Sequence, residues 1–154
     1  KFSSKRNILI NNTIVMDLCS RECIQMRNGA THNVIRNNIL VAPFQAIVAD
    51  PASIEGTVID HNLYVGGREP ERFLWAGEYR TVKNMQEKGF CQGDISGDAK
   101  FADQAQANFS LNPDSPAIGA GAIDENTGDV DLAGNPRAVG GKIDMGAYQY
   151  LKKD

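Results

Sequence analysis

The sequence predicts an all-β fold in which short strands stack in parallel to form a solenoid. The main observation is a repeat of nine residues that occurs three times, with starts 26 and then 24 residues apart (33 − 7 and 57 − 33): 7–15 (NILINNTIV), 33–41 (NVIRNNILV) and 57–65 (TVIDHNLYV). A repeat with a period of 20 to 50 residues is typical of stacked-repeat proteins. When the segments are aligned, three columns remain apolar: Ile8/Val34/Val58, Leu9/Ile35/Ile59 and Val15/Val41/Val65.

A second set of apolar runs lies between the repeats, at 23–26 (CIQM) and 46–49 (AIVA). Ile24 and Ile47 in these runs are 23 residues apart, close to the same period. Turn-forming residues follow each run, with Asn28-Gly29 after the first and Asp50-Pro51 after the second. We therefore expect each repeat to run strand, turn, strand, turn, with a third short strand. Equivalent strands of neighbouring repeats are expected to pair in parallel about 4.8 Å apart.

The column formed by Asn12, Asn38 and Asn62 predicts an asparagine ladder at one bend of the repeat. Stacked amides hydrogen-bond to one another and to the turn backbone, and so satisfy groups that a bend leaves unpaired. The alternative is that asparagine occurs here because it favours turns and tolerates a left-handed backbone. Three asparagines in register, with apolar columns on both sides, favour the ladder.

The asparagine-rich segments NILINNTIV and NVIRNNILV resemble the right-handed parallel β-helix of the pectate-lyase-like superfamily. This resemblance covers residues 1–66 and implies about three coils of β-helix. Because the first residues already resemble a repeat, the chain is expected to be part of a longer protein.

Residues 67–154 are predicted to form a cap of loops, a short helix and a strand, packed on the last coil within one structural domain. The helix is expected between Thr81 and Gly89, which suit its start and its end. Apolar anchors follow at Phe101, Phe109 and Leu111, and turns at 131–137 and Gly140-Gly141. A terminal strand is expected to contain Ile143, Met145, Ala147 and Tyr148.

The C-terminal motifs SPAIGAG and DMGAYQY resemble the end of bacterial surface β-helix proteins of the choice-of-anchor Q type. That resemblance implies export, so we expect a secreted, periplasmic or cell-surface location. The net charge of −3 gives no reason to expect a nucleic acid partner, and no apolar run reaches the length of a membrane span. The three cysteines, Cys19, Cys23 and Cys91, lack the further ligands of a zinc site. Disulfides between Cys19 and Cys23 or between Cys23 and Cys91 both remain open.

Candidate functional residues are few. Arg36 and Asp60 share one column on adjacent coils, with His61 beside Asp60, so the three form a candidate glycan-binding group. The alternative is an outward-facing salt bridge between Arg36 and Asp60. The acidic segment 124–131 has oxygen ligands spaced somewhat as in a Ca²⁺ loop, but it lacks the bidentate glutamate of an EF-hand. No catalytic residue, metal site or cofactor is predicted.

Three functions remain open on these grounds. The β-helix resemblance implies a polysaccharide partner, and a polysaccharide lyase or glycoside hydrolase when the protein is full length. Catalytic residues of that family lie on central coils, so this segment alone is not expected to be catalytic. The alternatives are a non-catalytic carbohydrate-binding protein or stalk of the cell surface, and a structural cap.

Overall fold

The structure is a computed structural model that describes residues 4–16, 22–66 and 71–152. It contains thirteen short strands and one α-helix in these ranges. Each of the first two repeats supplies three strands: β1 Ile8–Ile10, β2 Thr13–Val15 and β3 Ile24–Met26, then β4 Val34–Arg36, β5 Ile39–Val41 and β6 Ile47–Ala49. The remaining elements are β7 Val58–Asp60, β8 Leu63–Val65, β9 Glu71–Trp75, β10 Glu78–Thr81, α1 Val82–Glu87, β11 Ile95–Ser96, β12 Phe101–Asp103 and β13 Asn108–Leu111.

Equivalent strands of successive repeats pair in parallel and form three sheets. Their strand orders are β1-β4-β7, β2-β5-β8-β11 and β3-β6-β9, and β10 is added antiparallel to β9 at the edge of the third sheet. The prediction of an all-β chain with stacked parallel strands is confirmed. The predicted register is confirmed too, because the three apolar columns pair position by position, and Ile24 pairs with Ile47.

The main core lies between the three sheets. Strand alternation turns every second side chain inward, so Leu9, Ile35 and Ile59 of one column point into the core, and the latter two are almost fully buried. Tyr64 and Phe73 lie in the same core and contact each other edge to face, with 5.2 Å between their ring centroids. Each fully buried side chain of this size contributes about 1.5–3 kcal/mol relative to exposure.

A second apolar cluster lies on the outer face of the β2-β5-β8-β11 sheet. Ile39 and Leu63 point away from the main core and pack against Ala117 and Met145 of the C-terminal region. The contact extends back to the first repeat, because the backbone N–H of Ala147 donates to Thr13 Oγ1 at 3.0 Å. This sheet is therefore buried on both faces, which explains why apolar residues occur at consecutive positions along β5 and β8.

The region predicted to be a cap thus has two parts in the structure. Strands β9 and β11 extend two of the sheets beyond β6 and β8, and the bridge between Asp60 and Gln92 extends the third sheet beyond β7. Residues 115–150 run along the side of the stack. The division of the chain at residue 66 stays a prediction. The predicted terminal strand is wrong. In the described chain, the stretch around Ile143 forms only isolated bridges, because its backbone hydrogen-bonds to side chains and loops instead of to a neighbouring strand.

The predicted short helix is confirmed as α1. Thr81 Oγ1 accepts from the backbone N–H of Asn84 at 3.0 Å, and Asn84 Oδ1 accepts from the N–H of Thr81 at 3.3 Å. This reciprocal capping box fixes the start of the helix. Gly89 follows the helix with a φ of 84°, which suits glycine. Met85 on the inner face is fully buried in the main core. Within the described ranges no helix is long and apolar enough to cross a membrane.

Replacing Gly93 by alanine is expected to lower the free energy of unfolding by about 2 kcal/mol. Gly93 has a φ of 74°, and a Cβ there would lie 2.6 Å from Cδ2 of His61, which stacks over it from the previous repeat. Gly128→Ala is the matched control, since Gly128 has a φ of 75° but no atom within 4 Å of the added Cβ. Urea denaturation should give a larger loss for Gly93→Ala; equal losses would show that the histidine contact is unimportant.

Candidate functional site

The asparagine column forms a continuous chain of hydrogen bonds inside one bend of the stack. Asn12 donates to Asn38 Oδ1 from its backbone N–H at 3.0 Å and from its amide Nδ2 at 3.1 Å. Asn38 donates in the same way to Asn62 Oδ1, at 3.0 and 2.9 Å. Asn38 and Asn62 are fully buried, so each amide satisfies a backbone group that water does not reach. These contacts hold the scaffold and leave no functional group exposed at the inner rungs.

The ladder ends on a residue that the sequence reasoning missed, Asp94. Its Oδ1 accepts from the backbone N–H of Asn62 at 2.7 Å, and its Oδ2 accepts from the Tyr64 hydroxyl at 2.6 Å. Asp94 is only 4% exposed. Burial raises the pKa of Asp94 to about 6, while the hydrogen bonds from Tyr64 and Asn62 act in the opposite direction. The buried carboxyl therefore changes its charge near neutral pH, within the scaffold.

A second, shorter column was also missed, although the aligned segments show it at their first position. Asn7 donates to Asn33 Oδ1 from its backbone N–H at 3.2 Å and from its amide at 2.8 Å. The backbone N–H of Asn33 in turn contacts Thr57 Oγ1 at 3.5 Å. In the first two repeats, both ends of the first strand are thus fixed by side chains that cross between repeats.

Arg36, Asp60 and His61, the predicted glycan-binding group, do lie together. Arg36 binds Asp60 through two parallel hydrogen bonds, Nε to Oδ1 at 2.5 Å and Nη2 to Oδ2 at 2.7 Å. Its Nη1 donates to Asp124, and His61 Nδ1 lies 3.5 Å from Asp60 Oδ1. The hydrogen bonds that Arg36 donates to Asp60, together with the two carboxylate charges, raise the pKa of Arg36 still further above its usual value. The guanidinium is therefore permanently charged and occupied by two carboxylates.

Asp124 links this ion-pair group to the acidic segment 124–131. The oxygen spacing of that segment is somewhat like that of a Ca²⁺ loop, but the bidentate glutamate of an EF-hand is missing. Although burial opposes the change, hydrogen bonds from the Asn126 backbone and from Arg36 lower the pKa of Asp124. At the other end of the segment, the two oxygens of Asp131 accept from Asn135, Ala133 and Gln149. Across the described residues, no group of three or more His, Cys, Asp or Glu side chains is arranged to hold a metal ion.

The structure describes both cysteines of one disulfide considered above, Cys23–Cys91. Cys23 and Cys91 are free thiols, so the Cys23–Cys91 alternative is wrong, and Cys19 lies outside the described residues. Burial raises the pKa of Cys23 to about 12, and burial also raises that of Cys91, which leaves both thiols protonated and unreactive at neutral pH.

A cleft of ligand size lies elsewhere, between the β12–β13 hairpin and the C-terminal loops. Its volume is about 530 Å³, within the 300–1,000 Å³ range that is typical of small-molecule sites. We call it the amide cleft. Three asparagines and two tyrosines contribute most of its polar lining: Asn108, Asn112, Asn135, Tyr148 and Tyr150. Sequence reasoning did not identify it, because its walls come from three separate segments of the chain.

Each asparagine of the amide cleft is held to the protein by one end of its amide. Asn112 Nδ2 donates to the Phe101 carbonyl at 3.2 Å, Asn135 Nδ2 donates to Asp131 Oδ2 at 3.1 Å, and Asn108 Oδ1 accepts from the Ser110 N–H at 3.2 Å. Within the described part of the chain, the other amide atoms have no protein partner. The lining asparagines therefore keep two amide acceptors, on Asn112 and Asn135, and one amide donor, on Asn108, available for a ligand.

Searches of protein-family models, curated proteins and solved structures find no match to this chain.

Proposed function

We propose that this chain binds polysaccharide through the amide cleft, as part of an exported bacterial protein built on a right-handed parallel β-helix. The observation that carries the proposal is a set of three asparagines beside two tyrosines, in which only one end of each asparagine amide is hydrogen-bonded to the protein. A sugar hydroxyl both donates and accepts, so a site with fixed donors and fixed acceptors suits adjacent hydroxyls on one ring. Because one end of each amide is already held, little side-chain entropy is lost on binding.

The tyrosines support the same class of ligand. Tyr148 and Tyr150 are half-buried at the cleft, and each combines an apolar ring face with a polar hydroxyl. Such side chains pack on the C–H faces of sugar rings while they hydrogen-bond to the ring substituents. The parallel sheets and the asparagine ladder support the β-helix part of the proposal, together with the resemblance of the repeats to that fold. Export rests on the resemblance of the C-terminal motifs.

Binding is favoured over lyase or glycosidase chemistry in this segment. A lyase base must accept a proton, and Arg36 is held protonated by Asp60 and Asp124. A glycosidase needs two carboxyl groups that face one bond across a cleft, and the described residues that line the amide cleft include no Asp or Glu. Enzymatic activity, if the full-length protein has it, is therefore proposed to reside outside this segment.

Asn108→Asp is expected to weaken polysaccharide binding about fivefold to tenfold, because it removes one donor of about 1 kcal/mol at constant shape. The Asp side chain still accepts from the Ser110 N–H, but its second oxygen cannot donate to a sugar. Tyr148→Ala is expected to weaken binding by about tenfold through lost ring packing. Affinity electrophoresis through gels that contain soluble polysaccharides measures both effects.

Tyr79→Ala is the matched control, since Tyr79 is 52% exposed on β10 and lies outside the cleft. It should retain full binding, and thermal melts should confirm that all three variants are folded. If the wild type binds no polysaccharide, or if Asn108→Asp and Tyr148→Ala bind as the wild type does, the proposed function is wrong.

A further inference from the structure

Two carboxyl groups lie one hydrogen bond behind the lining of the amide cleft. Asp131 Oδ2 accepts from the Gln149 N–H at 2.9 Å, and Asp144 Oδ2 accepts from the Tyr150 N–H at 2.5 Å. Asp131 is 5% exposed and Asp144 is 1% exposed, so water screens these groups less than it screens surface charges.

The cation that interacts with both carboxyl groups, Arg137, is not among the described residues that line the cleft. Arg137 is 4% exposed and donates to the carbonyl oxygens of Gly146 and Ala147, at 3.0 and 3.2 Å. Burial lowers its pKa, although the charges of Asp131 and Asp144 act against that change. The described residues that line the cleft include no Lys, Arg or His. A bound anion would therefore meet no side-chain cation of the lining.

The segments that form the cleft also carry a net negative charge. The ranges 102–114, 131–137 and 144–152 contain four acidic residues and two basic ones, which gives −2: Asp103, Asp114, Asp131, Asp144, Arg137 and Lys152. Lys152, which follows the cleft residue Leu151, is exposed and is already counted in this balance. A ligand carboxylate would enter a site whose flanking segments carry a net charge of the same sign.

We infer that the polysaccharide bound at the amide cleft is uncharged, and this inference rests on the proposed function. Neutral hexose or pentose residues offer hydroxyls to the fixed amide atoms of Asn108, Asn112 and Asn135 and carry no charge for Asp131 and Asp144 to repel. Polyuronates and sulfated glycans, which are recognised through cations or through Ca²⁺, are discriminated against. The specificity is set by charges behind the lining rather than by the lining itself.

The test compares neutral polymers (laminarin, galactomannan and arabinoxylan) with anionic ones (polygalacturonate, alginate and chondroitin sulfate) in the same binding assay. At least one neutral polymer is expected to bind about tenfold or more tightly than every anionic one. Raising NaCl from about 50 to about 500 mM should leave the affinity for neutral polymers unchanged. The difference in affinity between neutral and anionic polymers should become smaller, because salt screens the repulsion between the anionic polymers and the protein.

Ala133→Lys adds a cation at the rim of the cleft without removing a side-chain contact, since Ala133 is exposed and lines the site. It should improve the binding of anionic polymers about threefold relative to the binding of neutral ones. Ala52→Lys, at an exposed position outside the cleft, is the matched control and should change neither.

Anionic polymers that bind the wild type as tightly as neutral ones, with binding lost in Asn108→Asp and Tyr148→Ala, would overturn the inference and leave the proposed function standing. Absence of binding to every polymer would overturn the proposed function, and the inference with it.

Discussion

Asn38→Ala is expected to destabilise the protein by about 3–5 kcal/mol, the largest effect expected from any single substitution considered for this chain. Asn38 is fully buried, and its amide makes four hydrogen bonds. Nδ2 donates to the Leu9 carbonyl and to Asn62 Oδ1, both at 2.9 Å, while Oδ1 accepts from the backbone and side chain of Asn12. Alanine leaves two of these backbone groups, Asn12 N–H and Leu9 C=O, without their partner in the stack.

The end of the ladder provides the control. Asn12→Ala removes an exposed amide that donates to Asn38 Oδ1 and to the Ile10 carbonyl, but the backbone N–H of residue 12 still donates to Asn38. We therefore expect Asn12→Ala to cost about 1 kcal/mol or less. Chemical denaturation of both variants measures the difference. Similar losses for the two substitutions would mean that the ladder is not the stabilising element of the bend.

The parts of the fold that are determined by the sequence repeat could be predicted from the sequence. The register of the apolar columns and the proximity of Arg36 to Asp60 both follow from stacking identical segments. In a parallel sheet, a residue's neighbours are the residues at the same position in adjacent repeats, so local sequence similarity determines contacts between residues about 25 positions apart. The same alignment contains the Asn7, Asn33 and Thr57 column.

The parts that depend on irregular chain could not be predicted in this way. Asp94 continues the ladder 32 residues after Asn62, whereas the preceding steps of the ladder are 26 and 24 residues. The last step is longer because the chain forms β9, β10 and α1 before it returns to the bend. The Arg36 contact with Asp124 spans 88 positions, and neither residue's neighbours in sequence indicate it.

The amide cleft shows the same limit at the candidate site. Its lining comes from the β12–β13 hairpin, from the 131–137 turn and from the end of the described chain. No periodic pattern relates these segments, and loop closure brings them together through single contacts such as the hydrogen bond from Gln149 to Asp131. A run of amides and tyrosines in loops is common in sequences, so the composition alone gives no signal of a binding site.

Asp94→Asn is expected to stabilise the protein by up to about 3 kcal/mol at pH 7 to 8 and to remove a pH dependence of stability that the wild type shows between about pH 4 and 6. Asparagine keeps the Oδ1 acceptor for Asn62 and continues the ladder. Its Nδ2 can donate to the Tyr64 oxygen in place of the hydrogen bond that Tyr64 now donates. The substitution therefore removes a buried charge and keeps the shape.

The direction of the pH dependence follows from the raised pKa. Because burial raises the pKa of Asp94 from 3.8 to about 6, the folded state holds its proton where the unfolded state has released it. The stability contributed by this proton is fully present below about pH 4 and is lost as pH rises through 6. Asp50, Asp98, Asp124 and Asp131 have lowered pKa values, so the stability they contribute is lost at more acidic pH, below 3.8.

Urea denaturation of the wild type and Asp94→Asn at intervals from pH 4 to 8 measures this difference directly. The free energies of unfolding should be similar near pH 4 and should diverge as pH rises, with the variant more stable. Groups that titrate in both proteins cancel in the comparison, so the divergence reports Asp94 alone. A wild type that is the more stable protein at pH 7 would mean that the ionised carboxylate, with its donors Asn62 and Tyr64, outweighs its burial. The ladder would then end on a favourable charge rather than on a costly one.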